Sequence, residues 1–294
     1  MSITDVFSKT FSILKDNPKI VLPNLIFTSL IGGLVLYSVF SLLSGVYGIS
    51  ILGSHAVQSG VHQTRSVSEV LALITHIIPI IIFVYLIALF VNPLLNGMYI
   101  NIADQGYRKG KISLSTAFST IRRSYFSLFA TELLITIVWI VVLLVFAVVF
   151  LLPTIGTGGL LHLLWLIAGC LIFLALSIFI GICLYESYAI VVIERIGAIN
   201  AVRKSIEIGK QNLGSIFKIF LVTLVIVLVY SVFIGMLQTA LEFVFSIRSD
   251  VFFGTIIAQI INFVLNSGLG AWIAMIPAGF YFDYVKKARS RKRK

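Results

Sequence analysis

The chain has 294 residues, of which 59% are hydrophobic and only 11% charged, with a mean hydropathy of +1.09; an ordinary soluble domain carries about 25% charged residues. A water-soluble fold is excluded, and 23 Phe with 13% aromatics exclude the low-hydrophobicity, high-charge composition of a disordered chain. What remains is a polytopic α-helical membrane protein carrying a formal charge of +11 that needs a location.

At about 1.5 Å rise per residue, crossing roughly 30 Å of hydrocarbon takes about 20 apolar residues. Before any such stretch, Ser2–Asn17 places Ile3, Val6, Phe7, Phe11 and Leu14 on one helical face. Asp5, Ser8, Lys9, Ser12, Lys15 and Asp16 fall on the other, the pattern of a helix lying in the membrane interface. Ser2 with Asp5 resembles a capping box, and Asn17-Pro18 ends the helix. The same charges interrupt any signal-peptide h-region, so the first span is expected to be retained.

Six apolar stretches then follow: Ile20–Leu43, Val70–Leu95, Leu133–Leu152, Leu160–Tyr185, Ser215–Leu237 and a long one within Val251–Phe282. Runs such as Ile135–Leu144 are apolar on nearly every side, unlike the alternating strands of an outer-membrane barrel. The expected fold class is therefore all-α, with six transmembrane helices arranged as three hairpins. Cys170 and Cys183 share the fourth span and are expected to be small lipid- or core-facing residues.

Two further amphipathic segments precede later spans. Ala117–Ser124 aligns without a gap on Ala198–Ser205 and on Ile3–Thr10, each ending in a basic residue followed by a hydroxyl. The unit predicted is an interfacial helix (Ser2–Asn17, Ser113–Arg123, Gly197–Asn212) followed by a transmembrane hairpin, used three times. A single membrane domain, 1–285, would hold repeats 2–112, 113–196 and 197–285, with a basic tail at 286–294. In this register Glu132 aligns with Pro18 and Leu213, which places it at a membrane boundary, with Lys218 or Arg123 as its expected partner.

Of the 22 Lys and Arg residues, 20 fall in segments that an even number of spans puts on one side; the other side holds Arg65 and Arg248. The positive-inside rule makes that side cytoplasmic and places both termini there, in the cell membrane. Asp283–Lys294 alone carries +6. Lys286, Lys287, Arg289, Arg291, Lys292, Arg293 and Lys294, together with Arg122, Arg123, Arg203 and Lys204 on the interfacial segments, are the candidates for gripping anionic lipid headgroups. Anchoring the last span topologically is the simpler role of the tail, and nucleic-acid binding is not expected without stacking aromatics.

The most polar span is the last. Thr255, Gln259, Asn262, Asn266 and Gly270 recur every three or four residues, so they share one face that lipid would not tolerate unpaired. Interhelical hydrogen bonding is one reading, with close approach at Gly254-x-x-x-Ala258, Ser231-x-x-x-Gly235 and Ser177-x-x-x-Gly181. The other is a small-solute path along Gln259, Asn262 and Asn266, with Asn266–Gly270 interrupting the helix as in transporters. His55, His62, His76 and His162 match no metal spacing. No catalytic constellation assembles, since Gly156, Gly158 and Gly159 are not followed by Lys. Neither enzymatic activity nor a cofactor or metal is expected.

Ile193–Ser205, continuing to Lys210-Gln211-Asn212 and closing on Tyr281-Phe282-Asp283-Tyr284, resembles a group of uncharacterised prokaryotic six-span proteins. These are related to the membrane domain of some glycerophosphodiester phosphodiesterases. The resemblance implies a shared membrane scaffold without the soluble catalytic barrel of those enzymes, and no catalytic residues carry over. The expected function is a non-enzymatic scaffold or partner- and lipid-binding membrane subunit with a basic cytoplasmic face, held against a membrane or cytoplasmic protein. A transporter or channel for a small solute or lipid is the alternative.

Overall fold

The computed structural model describes residues 3–33, 67–110, 112–154, 159–247 and 251–282, and regular structure among them is helical throughout. Helix α1 (Ile3–Asp16) is followed by a 3-10 turn at Pro18–Val21 and by α2 over residues 22–33. Next come α3 (Val67–Lys109), α4 (Leu114–Phe146), α5 (Leu160–Leu184), α6 (Ser187–Glu194), α7 (Ala198–Gln211), α8 (Leu213–Ile247) and α9 (Val251–Phe280). Five stretches are long and apolar enough to cross a bilayer: Ile82–Arg108, Leu114–Thr154, Leu161–Glu194, Leu213–Leu241 and Ile257–Phe280. By helix length and composition the chain is a multi-pass membrane protein. Of the expected first span, residues 34–43 lie outside the described residues, as do His55, His62, Arg65, Gly156, Gly158, Arg248 and the basic tail.

Three expectations change. Ser113–Arg123 is not a separate interfacial helix but the start of α4, which runs on without a break into the apolar span. The reason lies in the residues at the junction. Pro18 ends α1, and Asn212, with φ −121° and ψ 25°, ends α7, whereas the aligned pair Thr131-Glu132 contains no helix breaker. Second, Asn266–Gly270 does not interrupt α9; the Ser267 hydroxyl donates back to Phe263 O at 2.7 Å, and a Cβ on Gly270 would lie 2.7 Å from Asn24 Nδ2. Third, a Cβ built on Gly181 or Gly235 would meet nothing within 4 Å among the described residues. Those small-residue pairs make no close helix crossing among the described residues.

Buried side chains gather at one end of the bundle. Tyr99, Ile100 and Ile102 of α3, Ile121 and Leu128 of α4, Ile190 of α6, Ile216 and Ile219 of α8, and Met275, Ile276 and Phe280 of α9 are almost fully enclosed. Further along the same helices, Val141–Val145 of α4, Leu171–Leu176 of α5 and Val225–Phe233 of α8 leave many large apolar side chains open, as lipid-facing surfaces do. Polar contacts tie the enclosed end together. Asn24, in the first turn of α2, donates its backbone N–H to Tyr99 OH at 3.1 Å and its side-chain amide to Ser267 O at 3.0 Å, satisfying one of the amides that a helix start leaves without a partner.

Helices α1 and α7 seat on this end by matching devices. On α1, Val6 and Thr10 are fully buried; Trp272 Nε1 donates to Thr10 Oγ1 at 3.1 Å, and a Cβ on Gly279 would lie 2.9 Å from Val6. On α7, Ala201 and Ser205 are buried; Ser205 Oγ donates to Cys183 O at 2.8 Å and accepts from Glu186 N–H at 3.2 Å. A Cβ on Gly209 would lie 2.8 Å from the Cys183 backbone.

Candidate functional site

Helix α4 packs against α3, α6 and α7. Ala117, Ile121, Leu128 and Thr131 are the face it buries, at the spacing of one helical stripe. Thr120, Arg123, Ser124 and Ser127 form the stripe beside it. Ser113 caps the helix, accepting from Thr116 N–H at 3.3 Å, and its own N–H donates to Gln105 Oε1 at 2.9 Å. These bonds fix the start of α4 against the end of α3.

The opposite wall comes from the α6–α7 junction. Arg195 caps α6 in the left-handed conformation, with φ 57° and ψ 40°, a region that costs a side-chain-bearing residue roughly 1–2 kcal/mol. Ile196 and Gly197 then lead into α7. The resulting corner sets Arg195 across from Arg123, on a cleft of about 380 Å³ that Ser119, Thr120, Ser124 and Ser127 also line. Its volume falls within the roughly 300–1,000 Å³ of small-molecule sites.

Both arginines are exposed to the cleft, and neither has an ion pair or side-chain hydrogen bond among the described residues. The hydroxyls divide into two kinds. Ser119 and Thr120 donate to Thr116 O, at 3.0 and 2.8 Å, while Ser124 and Ser127 keep their O–H donors available among the described residues. Gly197 opens the 14-residue α7 on the same wall. Two arginines and two serines with available hydroxyls thus line one concavity, residue types suited to receiving an oxyanion.

A second cavity, of about 650 Å³, adjoins the first at Gly197 and is lined chiefly by apolar side chains of α4 and α7. Its α4 wall is Ala130, Leu133, Leu134 and Ile137.

Of the predicted basic residues that are described, Arg123 is the one that lines the cleft. Arg122 and Arg203 are exposed elsewhere on α4 and α7. Lys204 is committed to an ion pair with Glu194, which also accepts from Tyr281 OH, so that α7, α6 and the residues after α9 are joined. Glu132 is half-buried and pairs with neither Lys218 nor Arg123. On α9, Gln259 and Asn266 are exposed and Asn262 is half-buried; the Asn266 amide donates to Asn262 within the helix. Cys170 is exposed and Cys183 buried, both free thiols.

Two residues escaped the sequence reading. Arg195 could have been found from the glycine two positions on, which marks a corner between two helices rather than one continuous segment. Glu186, placed by sequence just beyond the fourth span, is fully buried at the α5–α6 junction, and neither carboxyl oxygen has a hydrogen-bond partner among the described residues.

No curated protein and no solved structure matches the chain. The family comparison shows no link to the glycerophosphodiester phosphodiesterases that Ile193–Ser205 resembles. Its match runs over residues 1–283, through every helix that builds the cleft, and the chain therefore belongs to the DUF7847 family, a domain of unknown function.

Proposed function

We propose that the chain is a non-enzymatic subunit of the cell membrane that binds anionic lipid headgroups on a basic cytoplasmic face and presents that face to a protein partner. The observation that carries this reading is the cleft between Arg123 and Arg195, with the Ser124 and Ser127 hydroxyls beside them. Guanidinium groups bind phosphate oxygens through paired, charge-assisted hydrogen bonds. The one-sided distribution of basic residues supports placing the cleft at the cytoplasmic surface, with six spans in three hairpins and both termini inside. There the basic tail adds about 1 kcal/mol per residue of attraction to anionic lipid.

The test is lipid preference in nanodiscs of phosphatidylcholine with or without phosphatidylglycerol. The double variant R123Q/R195Q should lose its preference for phosphatidylglycerol by roughly tenfold or more, since hydrogen bonds to charged groups contribute about 1.5–3 kcal/mol each. An unchanged preference would sink the reading. Cysteine-accessibility mapping at positions 109 and 204 tests the orientation independently, and external labelling would reverse it.

A second reading rests on a different observation: Gln259 is an exposed polar side chain within an apolar span, where lipid would leave it unsatisfied, and Asn266, exposed on the same helix, bonds to Asn262. In a channel or transporter this face would line the path of a small solute. Solute flux into liposomes that Asn262→Leu and Asn266→Leu abolish would favour it over the scaffold.

A further inference from the structure

Along α4, Arg123, Ser127, Ala130, Leu134 and Ile137 follow one another at intervals of four, three, four and three residues, which sets them on a single stripe. The stripe changes character between Ser127 and Ala130. On one side it lines the arginine cleft; on the other it lines the apolar groove, and Gly197 of the α7 wall borders both. Ser127 to Ile137 spans about 15 Å of helix, a distance commensurate with a substantial part of one acyl chain. The groove is open on its outer side, with Ile137 54% and Ile199 75% exposed.

From this we infer that cleft and groove form one composite site for a single anionic diacyl phospholipid. Its phosphate sits between Arg123 and Arg195, and one acyl chain lies against Ala130, Leu134 and Ile137 under Ile199. The inference rests on the headgroup reading and deepens it: a free phosphate would use only the cleft, and a neutral lipid only the groove. Charge complementarity at one end and an apolar channel leading away from it fit a whole lipid. The corner at Arg195–Gly197 is what brings the two halves together, because it supplies the second arginine and the far wall of the groove.

Native mass spectrometry of the full chain, released from nanodiscs of phosphatidylcholine and phosphatidylglycerol, reads this directly. The wild type should retain one phosphatidylglycerol. A130W and I199W, which fill the groove without touching the arginines, should lower retention by about fivefold or more, while thermal unfolding confirms that each variant is folded. Ile199 is largely exposed, so I199W decides the matter if A130W does not fold. Glycerol phosphate and inorganic phosphate at matched concentration should displace little of the bound lipid. If both groove variants retain phosphatidylglycerol like the wild type while R123Q/R195Q loses it, or if glycerol phosphate displaces it readily, the acyl half is overturned and the headgroup reading stands. If R123Q/R195Q retains it too, or if phosphatidylcholine is kept equally well, the lipid is annular only and both readings fall.

Discussion

Helices α1 and α7 and the first turns of α4 share one sequence pattern but use it differently. Thr10 and Ser205 occupy the same aligned position, and both are buried and bonded to a neighbouring helix, through Trp272 in one case and Cys183 with Glu186 in the other. Ser124 is their counterpart on α4, yet it lines a cleft and makes no side-chain hydrogen bond among the described residues. A hydroxyl that locks a helix in place at two positions is left available at the third. The difference traces to Thr131-Glu132. Lacking the Pro18 or Asn212 break, α4 continues straight into its span instead of folding over the bundle end, and the concavity beside it stays open.

The largest expected effect probes the locked side of this comparison. Gly209→Ala pushes a methyl against the backbone of α5 and should lower stability by about 1–3 kcal/mol, measured by thermal unfolding in detergent. Gly197→Ala, whose new methyl meets nothing within 4 Å among the described residues, should stay within about 0.5 kcal/mol. Equal effects would mean that α7 is not seated through Gly209. Ser205→Ala should come next, at about 1–2 kcal/mol, because it leaves the buried Glu186 N–H without its acceptor. Ser124→Ala, its aligned partner, should change stability by less than about 0.5 kcal/mol and lower phosphatidylglycerol retention instead. Lys204→Met should remove about 1 kcal/mol or less with its ion pair to Glu194 and leave lipid retention unchanged. A drop in retention as large as that of R123Q would restore Lys204 to the site.

Much of the architecture is legible in the sequence because length and apolarity alone define a membrane helix. The expected second to sixth spans overlap the five apolar stretches, and α1 and α7 fall where the amphipathic pattern and the Asn-Pro and Gly punctuation put them. Continuity was harder to read. An amphipathic segment and the span after it look alike in sequence whether or not the chain bends between them, and the deciding residues at 131 and 132 are ordinary ones. In the same way Asn266–Gly270 has the composition of a break, but its serine bonds back to the helix and its last glycine receives Asn24.

The site was half visible. Arg123 belonged to the basic set, but charge counting gives every basic residue the same standing and cannot separate Arg123 from Lys204, which the fold neutralises with Glu194. Arg195 acquires its position from a single left-handed residue between two helices, a conformation that Gly or Asn would have announced and Arg conceals. Ser119 and Thr120 fall inside the segment expected as an interfacial helix, and Ser124 and Ser127 beyond its end; the four share a site because α6 and α7 pack beside α4.

The left-handed Arg195 offers the most direct test of the central claim, because charge and fold can be separated at that one residue. Arg195→Gly suits the backbone better, so the folded protein should lose no stability or gain about 1 kcal/mol. Phosphatidylglycerol retention by native mass spectrometry of that variant should nonetheless fall by roughly tenfold, at the loss of one charged hydrogen-bond donor. A folded Arg195→Gly protein that keeps its phosphatidylglycerol at the wild-type level would contradict the assignment of this cleft as a headgroup site.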